Sequence, residues 1–287
     1  MARSGPRRVA LVTGASSGIG RAAALGLSRA GYALALVARS ADRLEALAGT
    51  LEAQGGRARS FPLDLNDEAA TQALGGAVEG TLGPVDLLVN CAGHGLAGPL
   101  ELVGRGDLRS QFEVNCIAAL ALSGAVAARM RERGGGRIIQ ISSPAAITDG
   151  PFFGAYGASK AALERATDAL RVELGPWGID VVLVLPGFTD NGRLEVPMEP
   201  LYRRAPPELA LYRRATDAMR ASIAASFRAK ARPAEEIART IVHAATTPRP
   251  RSRYITPRGA WLAARLWPWI PSRLTDRFWR RTLLELR

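Results

Sequence analysis

The sequence predicts an α/β fold, a doubly wound parallel sheet of about seven strands with helices on both faces. Three observations predict it. Short runs that are apolar almost throughout alternate with longer helical patterns from the first residues onward. Gly or Pro punctuates nearly every junction between them, as at Gly31, Gly55, Gly83, Pro84 and Gly134. A glycine-rich turn separates the first strand from the first helix.

Taken in order, strands are expected over 8–13, 33–38, 57–63, 87–90, 137–142 and 179–186, all apolar enough for burial on both faces. Crossover helices are expected over 19–29, 41–54, 68–82, 108–133 and 155–174. After Pro186 the rhythm breaks: 198–230 reads as helical and rich in arginine. Pro233 opens a further helix to about 245, with Glu235 and Glu236 favourably placed in its first turn. Tyr254 and Ile255 supply a short edge strand. The expected organisation is one catalytic domain over 7–257, with 188–232 as a lid, and a basic, Trp-rich extension over 258–287.

The 287 residues carry 38 basic and 26 acidic side chains, a net charge of +12. Residues 1–198 hold 19 of each sign, so the entire excess belongs to the last 89 residues. Hydrophobic residues make up 47% and charged residues 22%, which excludes a disordered or fibrous chain. Mean hydropathy is +0.02 and no apolar run approaches the ~18–20 residues of a spanning helix, so none is expected. The first eight residues are basic, but 9–12 run straight into a Gly-rich turn, so no secretory signal is expected. Two cysteines, Cys91 and Cys116, in apolar surroundings read as buried thiols of a reducing, cytoplasmic compartment.

The turn Gly14, Ala15, Ser16, Ser17, Gly18, Ile19, Gly20 follows a strand and opens a helix. Glycines there let the backbone approach a pyrophosphate while the helix N-terminus supplies free N–H donors. The second strand ends in Ala38 and Arg39. A site for NAD places an acid at this point for the ribose 2′-hydroxyl; an arginine accommodates a 2′-phosphate, so NADP(H) is expected over NAD(H). The competing reading of Arg39 is a solvated arginine at a helix start.

Tyr156 and Lys160 stand four residues apart on a predicted helix, on one face. A free phenol titrates near pH 10 and exchanges protons poorly at neutral pH. A neighbouring ammonium favours phenolate, which suits acid/base work. Only two of the 38 basic residues are lysines, Lys160 and Lys230, which makes the lysine at this position conspicuous.

Together these motifs resemble the short-chain dehydrogenase/reductases, in the subclass with a TGxxxGxG loop and a YxxxK site, over about residues 7–190 and the helix after Pro233. The resemblance implies a Rossmann-type fold and hydride exchange between a nicotinamide and an alcohol or carbonyl compound. It implies Tyr156 as acid/base, Lys160 on the nicotinamide ribose and lowering the tyrosine pKa, Ser143 on the substrate oxygen, and Asn115 holding a relay water. Ser142, its neighbour, takes the place of Ser143 if the register is off by one. Asp64 and Leu65 match the pair that contacts adenine, Asn90, Ala92 and Gly93 match the family's NNAG, and Pro186 and Gly187 match the turn beside the nicotinamide. Cys91 replaces the second asparagine of that motif, and Asn191 stands where threonine is usual, so Thr189 or Asn191 takes its role. His94 and His243 lack the company a metal site requires, and no metal is assigned.

The lid inventory (Phe188, Leu194, Val196, Met198, Leu201, Tyr202, Leu209, Leu211, Tyr212, Met219) favours a lipophilic alcohol or ketone over a sugar. The ending weakly resembles retinol- and hydroxysteroid-dehydrogenase-like members, hence lipid or steroid metabolism. Two other readings stand: a 3-oxoacyl-thioester reductase, and a non-catalytic NADP-binding protein. No nucleic-acid module is visible, so nucleic acid is not an expected partner. Trp261, Trp267, Trp269 and Trp279 interleaved with arginines suit either a peripheral membrane contact or packing on the core or a second subunit of a homodimer or homotetramer.

Overall fold

In the computed structural model the structure describes residues 8–148, 150–190, 207–256 and 266–284. Six strands alternate with helices: β1 (Val9–Thr13), α1 (Gly18–Arg29), β2 (Ala33–Ala38), α2 (Ala41–Ala53), β3 (Arg57–Pro62), α3 (Glu68–Leu82), β4 (Val85–Asn90), α4 (Arg105–Phe112), α5 (Ala118–Glu132), β5 (Gly136–Ile141), α6 (Gly154–Leu174) and β6 (Ile179–Pro186). They are followed by α7 (Arg213–Lys230), α8 (Ala234–Thr246), β7 (Arg253–Thr256) and α9 (Ser272–Trp279). All seven strands pair in parallel in the order β3-β2-β1-β4-β5-β6-β7. The order reverses between β1 and β4, which opens a crevice at the carboxyl ends of those strands.

Strand alternation explains why both sheet faces are apolar. Ala10, Val12, Leu34, Leu36, Val89 and Ile139 point to one side, where α1, α2 and α8 cover them through Leu27, Leu44 and Ile241. Their neighbours Leu11, Ala35, Leu88 and Ile138 point to the other, against Val78 of α3 and Val126 and Met130 of α5. Continuous apolar strands are therefore what this architecture requires.

Three expectations need correction. The helix expected over 108–133 begins at Arg105 and is interrupted by a π-helical turn, Glu113–Ile117. This run, Arg105–Glu132, is long enough to cross a membrane and contains an 18-residue window of mean hydropathy 1.4, contrary to the sequence reading. Half of its most apolar window is buried within the fold, with Leu122 and Met130 in the core, as befits a core helix. The strand expected at Tyr254 and Ile255 is longer, pairs with β6 and closes the sheet edge.

Beyond the sheet, a two-residue pairing of Thr189–Asp190 with Arg232–Pro233 ties the exit of β6 to the start of α8. A satellite cluster joins Ala97, Phe152, Ala215 and Met219, with Tyr212 and Trp279 packed against it. It docks α7 and the C-terminal α9 over the loop that precedes α6.

Candidate active site

The site is assembled at the carboxyl ends of β1, β4, β5 and β6. Buried Thr13 closes β1, and its Oγ1 accepts hydrogen bonds from the backbone N–H groups of Cys91 and Ala92, both at 3.0 Å. That clamp brings the glycine turn against the exit of β4. Gly14 adopts φ +67°, and a Cβ there would stand 2.9 Å from the Ala92 backbone. A Cβ on Gly20 would stand 2.3 Å from the Gly14 carbonyl oxygen. Only glycine fits at either position. Ser17 is the N-cap of α1 but makes no side-chain cap, so the first N–H groups of α1 are not satisfied by it. With Ser16, Gly18 and Ile19 partly exposed around it, this turn has the donors and the clearance a pyrophosphate requires.

Arg39 stands exposed just past β2, where Ser40 caps α2. Asp64 is exposed, and its Oδ1 accepts from the backbone and side chain of Asn66 at 3.0 and 2.7 Å; Leu65 beside it is buried. Burial lowers the pKa of His94, with Arg39 and Lys160 both adding to the effect, so the two cations bear on the imidazole together.

Two asparagines prove to be braces. Asn90 donates from Nδ2 to Ala119 O (3.0 Å) and Ser123 Oγ (2.9 Å), so its amide holds β4 to α5 rather than facing the crevice. Asn115 lies in the π turn and is buried; such turns occur often at functional sites. Its Oδ1 accepts from the His94 N–H (3.0 Å), while Nδ2 donates to His94 O (2.9 Å) and Ser159 Oγ (3.1 Å). Gln111 Nε2 also donates to His94 O, at 2.7 Å. The side chain of Asn115 therefore fixes the segment after Gly93 to α6.

The structure separates the two serines at the end of β5. Ser142 is buried and donates to Glu164 Oε1 at 2.6 Å. Ser143 caps the turn Pro144–Ala146, accepting from Ala145 N at 3.2 Å, and its side chain acts on the Tyr156 phenol. Tyr156 is half-buried on the first turn of α6. Burial raises its pKa, and the Ser143 hydrogen bond draws it back. Lys160 is buried, and its Nζ donates to Ile141 O at 2.9 Å. Burial lowers the Lys160 pKa to about 8. The Cys91 thiol nearby is pushed up to about 12 by the same burial, and the Cys116 thiol is also raised.

Pro186 ends β6, and Gly187 N donates to Thr256 O of β7 at 2.7 Å. Thr189 is buried and donates to Gly187 O at 3.0 Å. Asn191 and the lid residues Leu194, Val196, Met198, Leu201 and Tyr202 lie outside the described residues. Among the described residues no group of three His, Cys, Asp or Glu side chains converges as a metal site would require.

With this geometry, comparison with known proteins is informative. The family model described as short chain dehydrogenase matches residues 8–197. The chain belongs to the short chain dehydrogenase family. It is 37% identical over 186 residues to a short chain dehydrogenase of Pseudocercospora fijiensis, covering 64% of this chain and 60% of that one. The chain spans 60% or less of the first curated relatives it matches. Among solved structures, a short chain dehydrogenase/reductase from Burkholderia phymatum in complex with NAD has a TM-score of 0.79 at 28% identity, covering 91% of this chain and 92% of that one. A metagenomic short-chain oxidoreductase in complex with NADP has a TM-score of 0.70 at 29% identity, covering 87% and 96%. These dehydrogenases are solved with either dinucleotide, so membership in the family does not choose between them.

Sequence reasoning missed Glu164, Arg253 and Phe152. Glu164 had a signal, its i+4 spacing from Lys160; Arg253 had none, since only the closing of the sheet by β7 brings it to α6.

Proposed function

We propose that this chain is an NAD(P)(H)-dependent oxidoreductase that interconverts an alcohol and its carbonyl compound, with NADP(H) preferred. One observation carries the reading: Ser143, Tyr156 and Lys160 converge from β5 and α6 beside a glycine cradle that excludes any side chain. The turn from Gly14 to Gly20 and the N-terminus of α1 would hold the pyrophosphate, Arg39 the 2′-phosphate, and Asp64 and Leu65 the adenine side. Ala92, Gly93, Pro186, Gly187 and Thr189 would flank the nicotinamide half. When bound, the nicotinamide supplies or accepts the hydride.

Ser143 orients the substrate oxygen. Tyr156 holds a proton at its phenol oxygen, because burial keeps the phenol protonated at neutral pH. That state suits donation to a developing alkoxide in carbonyl reduction. Lys160 contributes positive charge and fixes the exit of β5. The substrate is a lipophilic alcohol or ketone, supported by Tyr212, Leu209, Phe152 and Met219 in the lid cluster. The test is NADPH oxidation across retinoids, steroids, long-chain carbonyl compounds and 3-oxoacyl thioesters. Reduction of lipophilic ketones or aldehydes that falls at least about a hundredfold in Tyr156→Phe is expected. Parental turnover by that variant overturns the reading, and preference for the thioesters replaces the substrate class.

A membrane-surface contact belongs to the same reading and draws support from the C-terminal segment. Trp279 turns inward onto the lid cluster and Trp267 packs on it, ring centroids 6.2 Å apart. Trp269 stays 84% exposed, and Leu274 and Phe278, one turn apart on α9, are 57% and 52% exposed. Arg273, Arg277 and Arg280 surround them, a composition that suits an anionic lipid interface. Sedimentation with phosphatidylserine vesicles is expected to fall in Trp269→Ser/Leu274→Ser; unchanged sedimentation, or none by the parent, removes this contact. Exposed Ile117, Val172 and Trp177 support self-association as a homodimer or homotetramer.

A further inference from the structure

Glu164 lies one helical turn beyond Lys160 on α6 and is only 5% exposed. Both its oxygens are taken. Oε1 accepts from Ser142 Oγ at 2.6 Å, and Oε2 accepts from Arg253 Nη1. Arg253 comes from β7, the last strand of the sheet, and its Nη2 also reaches both oxygens of Asp168, at 3.2 and 3.0 Å. Arg171 closes the cluster on Asp168 Oδ1 at 2.7 Å.

The arrangement at β5 is paired. Ile141 O accepts from Lys160 Nζ at 2.9 Å, and the next residue, Ser142, donates to Glu164. Two successive residues at the exit of β5 are thus tied to two residues one turn apart on α6. The residue that follows them is Ser143, whose side chain acts on the Tyr156 phenol. Burying a carboxylate is expensive even when it is paired, and apolar residues of similar volume commonly serve a core as well or better. A charge retained here points to a role at the site.

We infer that Glu164 is a positioning residue of this site: clamped between Ser142 and Arg253, it sets β5 against α6 and places a negative charge one turn from Lys160. The inference rests on the reading of Ser143, Tyr156 and Lys160 given above. The titratable groups that bear on Lys160 are Cys91 after β4, Cys116 of the π turn and Glu164 of α6. Burial raises the pKa of both thiols and keeps them neutral, so Glu164 is the carboxylate among them. Asp168 and Arg171 of α6 and Arg253 of β7 face it from its far side.

The chain has two lysines, which makes a direct measurement practical. Full-length protein carrying ε-¹³C-lysine is titrated by NMR; Lys230, exposed at the end of α7, is the internal reference. In Glu164→Gln the Lys160 midpoint is expected to fall by about one pH unit, with Lys230 unmoved. In Glu164→Asp, which keeps the charge farther away, a smaller fall is expected. A parental Lys160 midpoint in either folded variant overturns the inference, as does an equal shift of both lysines. The readout does not depend on turnover: an active Tyr156→Phe sinks the proposed function, whereas an inactive one with an unmoved Lys160 sinks only this inference.

Discussion

Lys160 directs its ammonium at the carbonyl oxygen of Ile141, 2.9 Å away, rather than at the phenol of Tyr156 one turn before it. The bond crosses from α6 to the exit of β5, two residues before Ser143. Burial lowers the Lys160 pKa to about 8 while raising that of Tyr156. The sign of the pH dependence follows. Below about pH 8 both groups are protonated and carbonyl reduction should proceed; as pH rises through 8 the ammonium is lost, and the rate should fall before the phenol titrates. A kcat profile for NADPH-driven reduction over pH 6–10 checks this; a rate flat through pH 9 would sink it.

Lys160→Arg keeps the charge but not the compact shape. Its planar guanidinium is too wide for a pocket where Gly93 would place a Cβ 3.4 Å from Lys160 Nζ and 3.0 Å from Asn115 Oδ1. The expected result is a fall in kcat of about a hundredfold or more, with a flat profile where the parent turns down near pH 8. Steady-state kinetics at two pH values is sufficient.

Gly20 packs its Cα against the turn it closes. In Gly20→Ala the new methyl would sit 2.3 Å from the Gly14 carbonyl oxygen, so the turn must open. A loss of about 1–3 kcal/mol in stability is expected, together with weaker NADPH binding by at least about tenfold. Thermal unfolding with and without NADPH separates the two effects: the ligand-induced rise in Tm should shrink as well as the apo Tm.

The regularities of the chain made most of the fold legible. Apolar strands, Gly or Pro at the junctions and the turn from Gly14 to Gly20 depend on local chemistry, and each element through β6 stands within a few residues of its expected place, whereas the helix expected over 198–230 begins only at Arg213 among the described residues. The π turn at Glu113–Ile117 was not legible, because a helix with one residue too many has the same apolar composition as a regular one. Side-chain direction was also hidden. Asn90 and Asn115 occupy their motif positions, yet their amides are spent on Ala119, Ser123, His94 and Ser159, partners defined by packing. Arg253 meets Glu164 only because β7 pairs with β6, a contact across 89 residues that no spacing rule encodes.

Arg39 bears on His94 across the mouth of the crevice and stands exposed past β2. If it meets a 2′-phosphate, Arg39→Ala should raise KM for NADPH by about tenfold or more and leave KM for NADH within about threefold. Parallel assays with the two cofactors decide it. An equal change for both would return Arg39 to the solvated role of a helix-start arginine.

Phe152 holds a left-handed backbone, φ +69°, four residues before Tyr156, which for an aromatic residue is strained. Two contacts hold it there. Its carbonyl accepts from Gly98 N at 2.8 Å, and its buried ring meets Tyr212 edge-on at 6.3 Å. Tyr212 in turn donates to Glu101 Oε1 at 2.6 Å, so the lid is latched to the loop between β4 and α4. Two variants separate the strain from the packing. Phe152→Ala loses the ring and keeps the strain, and should destabilise by about 3 kcal/mol. Phe152→Gly loses the same ring but relieves the backbone, and should be about 1 kcal/mol more stable than Phe152→Ala. Both should raise KM for a lipophilic substrate more than they lower kcat, because the ring packs against the lid and not on the reacting atoms. Urea denaturation of the pair measures the difference; an alanine variant as stable as the glycine variant would mean that the left-handed backbone relaxes once the ring is gone.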